Sequence, residues 1–210
     1  MSTLPREGGA GTNSATLQSY EDRTAAYIDG TSQVVAGASK AWIDAALDGL
    51  PADARILELG SAFGRDAAYI AARGFAVGCT DAVPSFISHL RDKGFPARRL
   101  NVLTDPIEGR YDLILANAVL LHFDRREFVV VLEKLARAAA RGGRIAFSLK
   151  RGIGETWSTD KLGAPRYFCY WEPDALKPIL DRVGFARWTV DEAQTDRAHA
   201  AWLYVIATVP

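Results

Sequence analysis

The chain has 210 residues, with twenty-five basic against twenty-five acidic side chains, 49% hydrophobic and 24% charged. That composition fits one globular enzyme domain with a sizeable core and argues against a protein built to live on nucleic acid or an anionic membrane. No apolar run approaches membrane-spanning length, and the first residues lack the apolar core of a signal peptide, so a cytoplasmic protein is expected. Cys79 and Cys169 have no metal-ligand spacing, and neither a metal site nor a disulfide framework is expected.

Residues 1–16 are rich in Gly, Ser, Thr and Ala without periodicity, which predicts a flexible tail. Residues 17–30 read as a helix with Tyr20 and Tyr27 on one face, and residues 33–50 as a second helix carrying Trp42, Ile43, Ala46 and Leu47 at helical spacing. Residues 17–50 are therefore expected to form an N-terminal helical cap before a domain over residues 51–210. Ile56, Leu57 and Leu59 make a short buried strand that ends at Gly60. A helix follows from Gly64 to Arg73, with Gly74 as its C-terminal cap. Such a turn brings bare backbone close to a ligand. Glu58 near the strand end points to a cationic or hydroxyl-rich ligand rather than a plain phosphate.

Residues 75–80 predict a second strand ending at Asp81, and Pro84 opens a helix that buries Phe86, Ile87 and Leu90. Residues 97–103 give a third strand and residues 111–116 a fourth. Asp124 with Glu127 reads as an N-cap and its partner for a helix reaching Arg141. Residues 144–149 make a fifth strand. Residues 150–171 break the rhythm with glycines, aromatics and charges and are expected to be a functional loop. Residues 173–183 predict a helix kinked at Pro178. Residues 185–190 and 201–209 then predict an antiparallel strand pair joined by a polar link over residues 191–199. Strands alternating with helices in this way mean an α/β fold, a mostly parallel sheet with helices on both faces.

Glu58-Leu59-Gly60-Ser61-Ala62-Phe63-Gly64 resembles the first motif of class I S-adenosylmethionine-dependent methyltransferases, an acidic residue followed by glycines in alternate places. The family usually has a middle glycine where Ala62 stands, so the turn is expected to avoid positive φ there. Asp81 matches the acidic residue that holds the ribose hydroxyls in this family. Asn101-Val102 falls where the family contacts adenine, and Ala116-Asn117 where it lines the methionine end. The resemblance covers residues 54–209. It implies a Rossmann-like three-layer sandwich, a seven-stranded mostly parallel sheet with an antiparallel last strand, plus N-terminal helices. It implies S-adenosylmethionine as cofactor, held by Tyr20, Tyr27, Glu58, Gly60, Ala62, Gly64, Arg65, Asp81, Ala82, Asn101, Val102, Ala116 and Asn117. The stretches Lys150-Arg151-Gly152-Ile153-Gly154-Glu155 and Arg166-Tyr167-Phe168-Cys169-Tyr170 are similar to a bacterial subgroup of small, single-domain methyltransferases.

The acceptor implied is a small molecule or short peptide, methylated at oxygen (carboxylate or hydroxyl) rather than nitrogen. His122, just beyond the fourth strand, is the best base candidate, needed for a hydroxyl and little needed for a carboxylate; a structural histidine capping the next helix is the alternative. His89 and His199 read as surface residues. Lys150, Trp157, Arg166, Tyr167, Tyr170 and Trp171 would line the acceptor pocket, with Lys150 and Arg166 pointing to a negatively charged acceptor. Otherwise the aromatics simply pack residues 150–171 onto the sheet edge. Tyr20 and Tyr27 either close over the cofactor as a lid or pack their helix on the core. A nicotinamide-dependent dehydrogenase would need glycines where Ala62 and Arg65 stand. A catalytically idle cofactor-binding module stays open. So does a nucleic acid or protein acceptor, although the Asn/Asp-Pro-Pro-aromatic base-methylation motif is absent from Ala116-Asn117-Ala118-Val119. The protein is expected to act as a monomer or homodimer.

Overall fold

The short apolar runs become the strands of one sheet in a computed structural model that describes residues 10–194 and 201–210. In chain order these are β1 (Ile56–Leu59), β2 (Val77–Asp81), β3 (Ala97–Arg99), β4 (Tyr111–Ala116) and β5 (Ala139–Lys150). A separate two-stranded hairpin, β6 (Glu155–Ser158) and β7 (Arg166–Cys169), follows, and then β8 (Arg187–Gln194) and β9 (Ala201–Thr208). The main sheet has seven strands in the order β3-β2-β1-β4-β5-β9-β8. Neighbours from β3 to β5 pair in parallel, and β9 runs antiparallel to both β5 and β8. This is the expected sheet, with the final strand reversed.

Alternation along the central strands splits the core into two layers. Leu57, Ile114, Ala116 and Phe147 point into one, and Ile56, Leu113, Leu115 and Ala146 into the other. The first layer is closed by α6 (Arg125–Ala138), through Phe128, Val131, Leu132 and Leu135, and by α7 (Pro173–Val183), through Leu176 and Leu180. The second is closed by α3 (Gly37–Leu47), α4 (Arg65–Ala71) and α5 (Pro84–Asp92). Each Leu, Ile or Phe fully buried this way contributes roughly 1.5–3 kcal/mol. The capping box that opens α6 is present: Asp124 accepts from the backbone N–H groups of Arg126 and Glu127, and Glu127 accepts from that of Asp124. Pro178 sits inside α7 without ending it.

Three expectations need correction. The tail expected up to residue 16 gives way at Ala10 to α1 (Ala10–Asp22), and Arg23 separates α1 from the short α2 (Thr24–Asp29). The buried face of α1 consists of Thr12, Asn13, Thr16 and Ser19, so no apolar periodicity announced it. Residues 150–171 are no structureless loop: β6 and β7 pair in register, and Tyr167, Phe168, Cys169 and Trp171 enter the core. Last, β8 runs on to Gln194, so the link expected from Asp191 begins later, and its remainder, including His199, lies outside the described residues.

Candidate active site

The site is built at the carboxyl ends of β1, β2 and β4, where open parallel sheets place their ligands. After Leu59 the chain turns through Gly60, which has φ 62°. A Cβ there would lie 2.5 Å from Val119 Cγ2, so both conformation and space demand glycine. The Ser61 N–H donates to the Thr80 carbonyl at 2.9 Å, and the Gly64 N–H to the Ser61 carbonyl at 2.8 Å. Gly64, left-handed at φ 84°, then starts α4.

Ala62 departs from expectation. It adopts φ 47°, and with Ala118 (φ 58°) it is one of two described non-glycine residues in the left-handed region. Each strained alanine is held by a side chain from a neighbouring strand. Asp81 Oδ2 accepts the Ala62 N–H at 2.9 Å, and Ser148 Oγ accepts the Ala118 N–H at 2.8 Å. Ser148 in turn donates to Asn117 Oδ1, and Asn117 Nδ2 donates to Asp66 Oδ2, both at 2.7 Å. The strain, of order 1–2 kcal/mol per residue, is thus tied to a closed hydrogen-bond network on both sides of the site.

Between these turns and α1 lies a cavity of about 90 Å³. Of the residues expected to bind the cofactor, Tyr20, Tyr27, Gly60, Ala62, Asp81, Ala82, Asn101, Val102 and Asn117 line it. Four others do not. Ala116 is fully buried in the core, and Gly64 faces Leu90 and Phe95. Arg65 pairs with Asp66 at 2.7 Å. Glu58 lies buried at the end of β1, outside the cavity lining, with Oε2 unpartnered. Burial, reinforced by the nearby Asp66 carboxylate, holds the Glu58 carboxyl well above the usual carboxylate range.

Asp81 is also buried, and that pushes its carboxyl up to about 6, against the pull of backbone N–H groups at Val83, Ala62 and Ala82. Val83 N–H reaches Oδ1 at 2.9 Å, so each oxygen already accepts a backbone bond while Asp81 still lines the cavity. Asn101 is engaged too: its Oδ1 accepts the Leu103 N–H, and its Nδ2 donates to Asn13 of α1 at 2.9 Å.

His122 lines the cavity from the 3-10 turn Leu120–His122, but its environment does not fit a base. Nδ1 lies 2.6 Å from the Tyr167 carbonyl and so carries the proton, which leaves Nε2 to accept the Tyr20 hydroxyl at 2.9 Å. Burial pushes its pKa down to about 3. The imidazole is a neutral link between α1 and β7. Tyr20 meets the imidazole edge-on at 5.5 Å and Tyr27 edge-on at 5.3 Å, and burial raises both phenols above their ordinary range.

The expected acceptor residues stand outside the cavity wall. Trp171 is core, its ring tilted against Phe128 with centres 4.5 Å apart, beneath Arg125. Trp157 and Tyr167 pack edge-on across the hairpin, and Tyr170 stacks on Phe168. Arg166 reaches the site through Tyr20, whose hydroxyl its Nη1 approaches at 3.3 Å, and Lys150 lies 4.2 Å over the Phe168 ring. His89, expected at the surface, is half-buried with Nε2 unpartnered.

Sequence reasoning missed Asn13, Thr16 and Leu17, which line the cavity from α1, and Val83, Phe86, Leu100, Val119 and Phe123 from the sheet side. Only the apolar pattern of the last five could have found them. Among the described residues there is no group of His, Cys, Asp and Glu that could hold a metal ion, and no helix long and apolar enough to cross a membrane.

A family model described as a methyltransferase domain matches residues 57–145, the segment from β1 to β5 that carries Gly60, Asp81, Asn101 and Asn117. No curated protein matches the chain significantly. Among solved structures, the DhpI-SAM-HEP complex is similar with a TM-score of 0.71 at 18% identity, over 96% of this chain and 99% of that one. The Burkholderia thailandensis 1,6-didemethyltoxoflavin-N1-methyltransferase, with bound 1,6-didemethyltoxoflavin and S-adenosylhomocysteine, gives 0.67 at 20%, over 98% and 93%. A SAM-dependent methyltransferase from Methanosarcina mazei gives 0.64 at 14%, over 76% and 94%. At these identities the likeness is one of fold. The domain match adds that residues 57–145 are similar to a methyltransferase domain, on a fold shared with solved methyltransferases.

Proposed function

We propose that the cavity under α1 receives S-adenosylmethionine and that the chain transfers its methyl group to an oxygen of a small molecule or short peptide. The observation that carries the reading is the convergence of Gly60, Asp81, Asn101 and Asn117 on one cavity from three strand ends and the stretch after β3. The residues present fit the cofactor. The free lone pairs of Asp81 suit the two ribose hydroxyls, and Val83, Phe86, Leu100 and Val102 offer an apolar slot for a base. The bare turn at Gly60 allows close backbone approach.

The bound cofactor would supply an electrophilic methyl on a sulfonium, a leaving group that needs no protonation. The chain's own work is alignment: Tyr20, Tyr27, Val119 and Phe123 exclude water from the reacting end and hold the acceptor in line. No lining side chain is free to take a proton. His122 is fully bonded, both tyrosines are held protonated, and Asp81 is anchored by backbone. An oxygen that arrives already ionised suits such a site better than one that must be deprotonated, which favours a carboxylate over a hydroxyl. The cavity is smaller than the roughly 300–1,000 Å³ of ordinary small-molecule sites. Loading therefore requires α1 to swing outward, releasing Asn13 from Asn101.

Isothermal titration with S-adenosylmethionine and S-adenosylhomocysteine tests the cofactor reading. Binding of both with one site per chain is expected, and absence of binding overturns it. Screening carboxylates and hydroxylated small molecules for methyl transfer tests the acceptor. Turnover of amines alone would overturn the oxygen reading.

A further inference from the structure

Buried charges in proteins are normally paired, because an isolated one forfeits its hydration without compensation. Arg166 breaks that rule. It is 6% exposed, yet none of the ion pairs among the described residues includes it. Its Nη1 approaches only the neutral Tyr20 hydroxyl, and its Nε is buried with no hydrogen-bond partner. The guanidinium lies 5.6 Å from the Tyr20 ring centre and 5.1 Å from that of Phe168. Ring faces hold a cation in place without neutralising it.

A second uncompensated cation stands beside it. Lys150 Nζ is 4.2 Å from the Phe168 ring centre, half-buried and likewise absent from the ion pairs among the described residues. Asp160, the carboxylate that acts on it, is exposed and outside ion-pair distance. The two cations thus share one aromatic ring and border Tyr20 and His122, which line the cavity. Both come from the hairpin side, away from Asp81 and Asn101. The cofactor reading leaves them unused.

We infer that Arg166 and Lys150 form the receptor for an oxyanionic group of the methyl acceptor, with the free Nε edge of the Arg166 guanidinium as its donor. This rests on the proposed function, since it assigns the acceptor side of the same site. A guanidinium edge presents parallel N–H donors that match a carboxylate or a phosphate, while the ammonium of Lys150 adds charge without directional demand. The class of acceptor is therefore a small oxyacid, and the charge pair discriminates against neutral and cationic analogues of the same shape.

The test uses the full chain saturated with S-adenosylhomocysteine and follows the Arg166 Nε–H resonance by ¹⁵N-resolved NMR. Sodium acetate and inorganic phosphate are the probes, titrated against sodium chloride at matched ionic strength. A saturable shift of this resonance with either probe is expected, and which probe acts separates a carboxylic from a phosphoric acceptor. Lys150→Gln, which keeps the Arg166 reporter, should weaken the effective probe at least threefold, with S-adenosylhomocysteine affinity within twofold of wild type. Normal cofactor binding with no probe-dependent shift, or with equal affinity in Lys150→Gln, overturns the anion receptor and leaves the methyltransferase reading standing. Loss of cofactor binding in the wild type would overturn that reading instead.

Discussion

Asp81 Oδ2 accepts the Ala62 N–H at 2.9 Å, and this bond holds an alanine at φ 47°. A carboxylate placed for ligand binding thereby also fixes the turn that the ligand must approach. Ala62→Gly removes the left-handed penalty of about 1–2 kcal/mol but adds roughly 0.5–1 kcal/mol of backbone entropy. Net stabilisation of about 0.5–1 kcal/mol is expected, seen as a melting temperature higher by a few degrees. A lowered melting temperature would show that the turn carries no strain.

Asp81→Asn keeps the shape but removes the charge and one acceptor. Either the Ala62 or the Val83 N–H then loses its partner, at about 1–3 kcal/mol. Affinity for S-adenosylmethionine should fall about tenfold or more by calorimetry, alongside the loss in stability. Unchanged affinity would remove Asp81 from the ribose role.

Ser148→Ala strips the Ala118 N–H of its acceptor and Asn117 of its donor in one step. Ser148 is fully buried, so water cannot replace the hydroxyl. We expect a loss of about 1–3 kcal/mol in denaturant unfolding and weaker cofactor binding, because the turn after β4 is free to relax.

His122 gives the pH dependence a defined sign. Folded, burial holds it near 3; unfolded, the imidazole takes up a proton near 6.5. Its stabilising contribution is present above about pH 6.5 and drains away as the pH falls from 6.5 toward 3, by up to about 1.4 kcal/mol per pH unit. Asp81, raised to about 6, acts oppositely: its contribution is present below about pH 4 and lost as the pH rises through 6. The stability difference between wild type and His122→Gln isolates the imidazole, and it should widen as the pH climbs from 4 to 6.5. A difference independent of pH would mean that His122 is charged or accessible.

The sheet and its ligand end were legible because apolar runs, glycine punctuation and the Asp124–Glu127 cap each speak locally. The order of β1 to β5, the turn at Gly60 and the acid closing β2 all follow from such signals. Three features stayed hidden for one reason, that their logic is tertiary. The face that α1 buries is Thr12, Asn13, Thr16 and Ser19, whose partners are a distant backbone N–H at Tyr167, the Pro165 carbonyl and the Asn101 side chain. The positive φ of Ala62 contradicts its own side chain and is sustained by Asp81. The neutrality of His122 depends on Tyr20, far along the chain. The hairpin of β6 and β7 was blurred by glycines whose purpose shows only at Gly152, where a Cβ would press on Tyr170 at 3.3 Å.

A hinged cover usually exposes grease when it lifts. Here the buried residues of the cover are the hydroxyls and amides of Thr12, Asn13, Thr16 and Ser19, and the apolar surface lies mostly on the floor beneath, at Val83, Phe86, Leu100 and Val102. Opening therefore breaks a countable set of hydrogen bonds and also uncovers apolar area, which a bound ligand would keep from water.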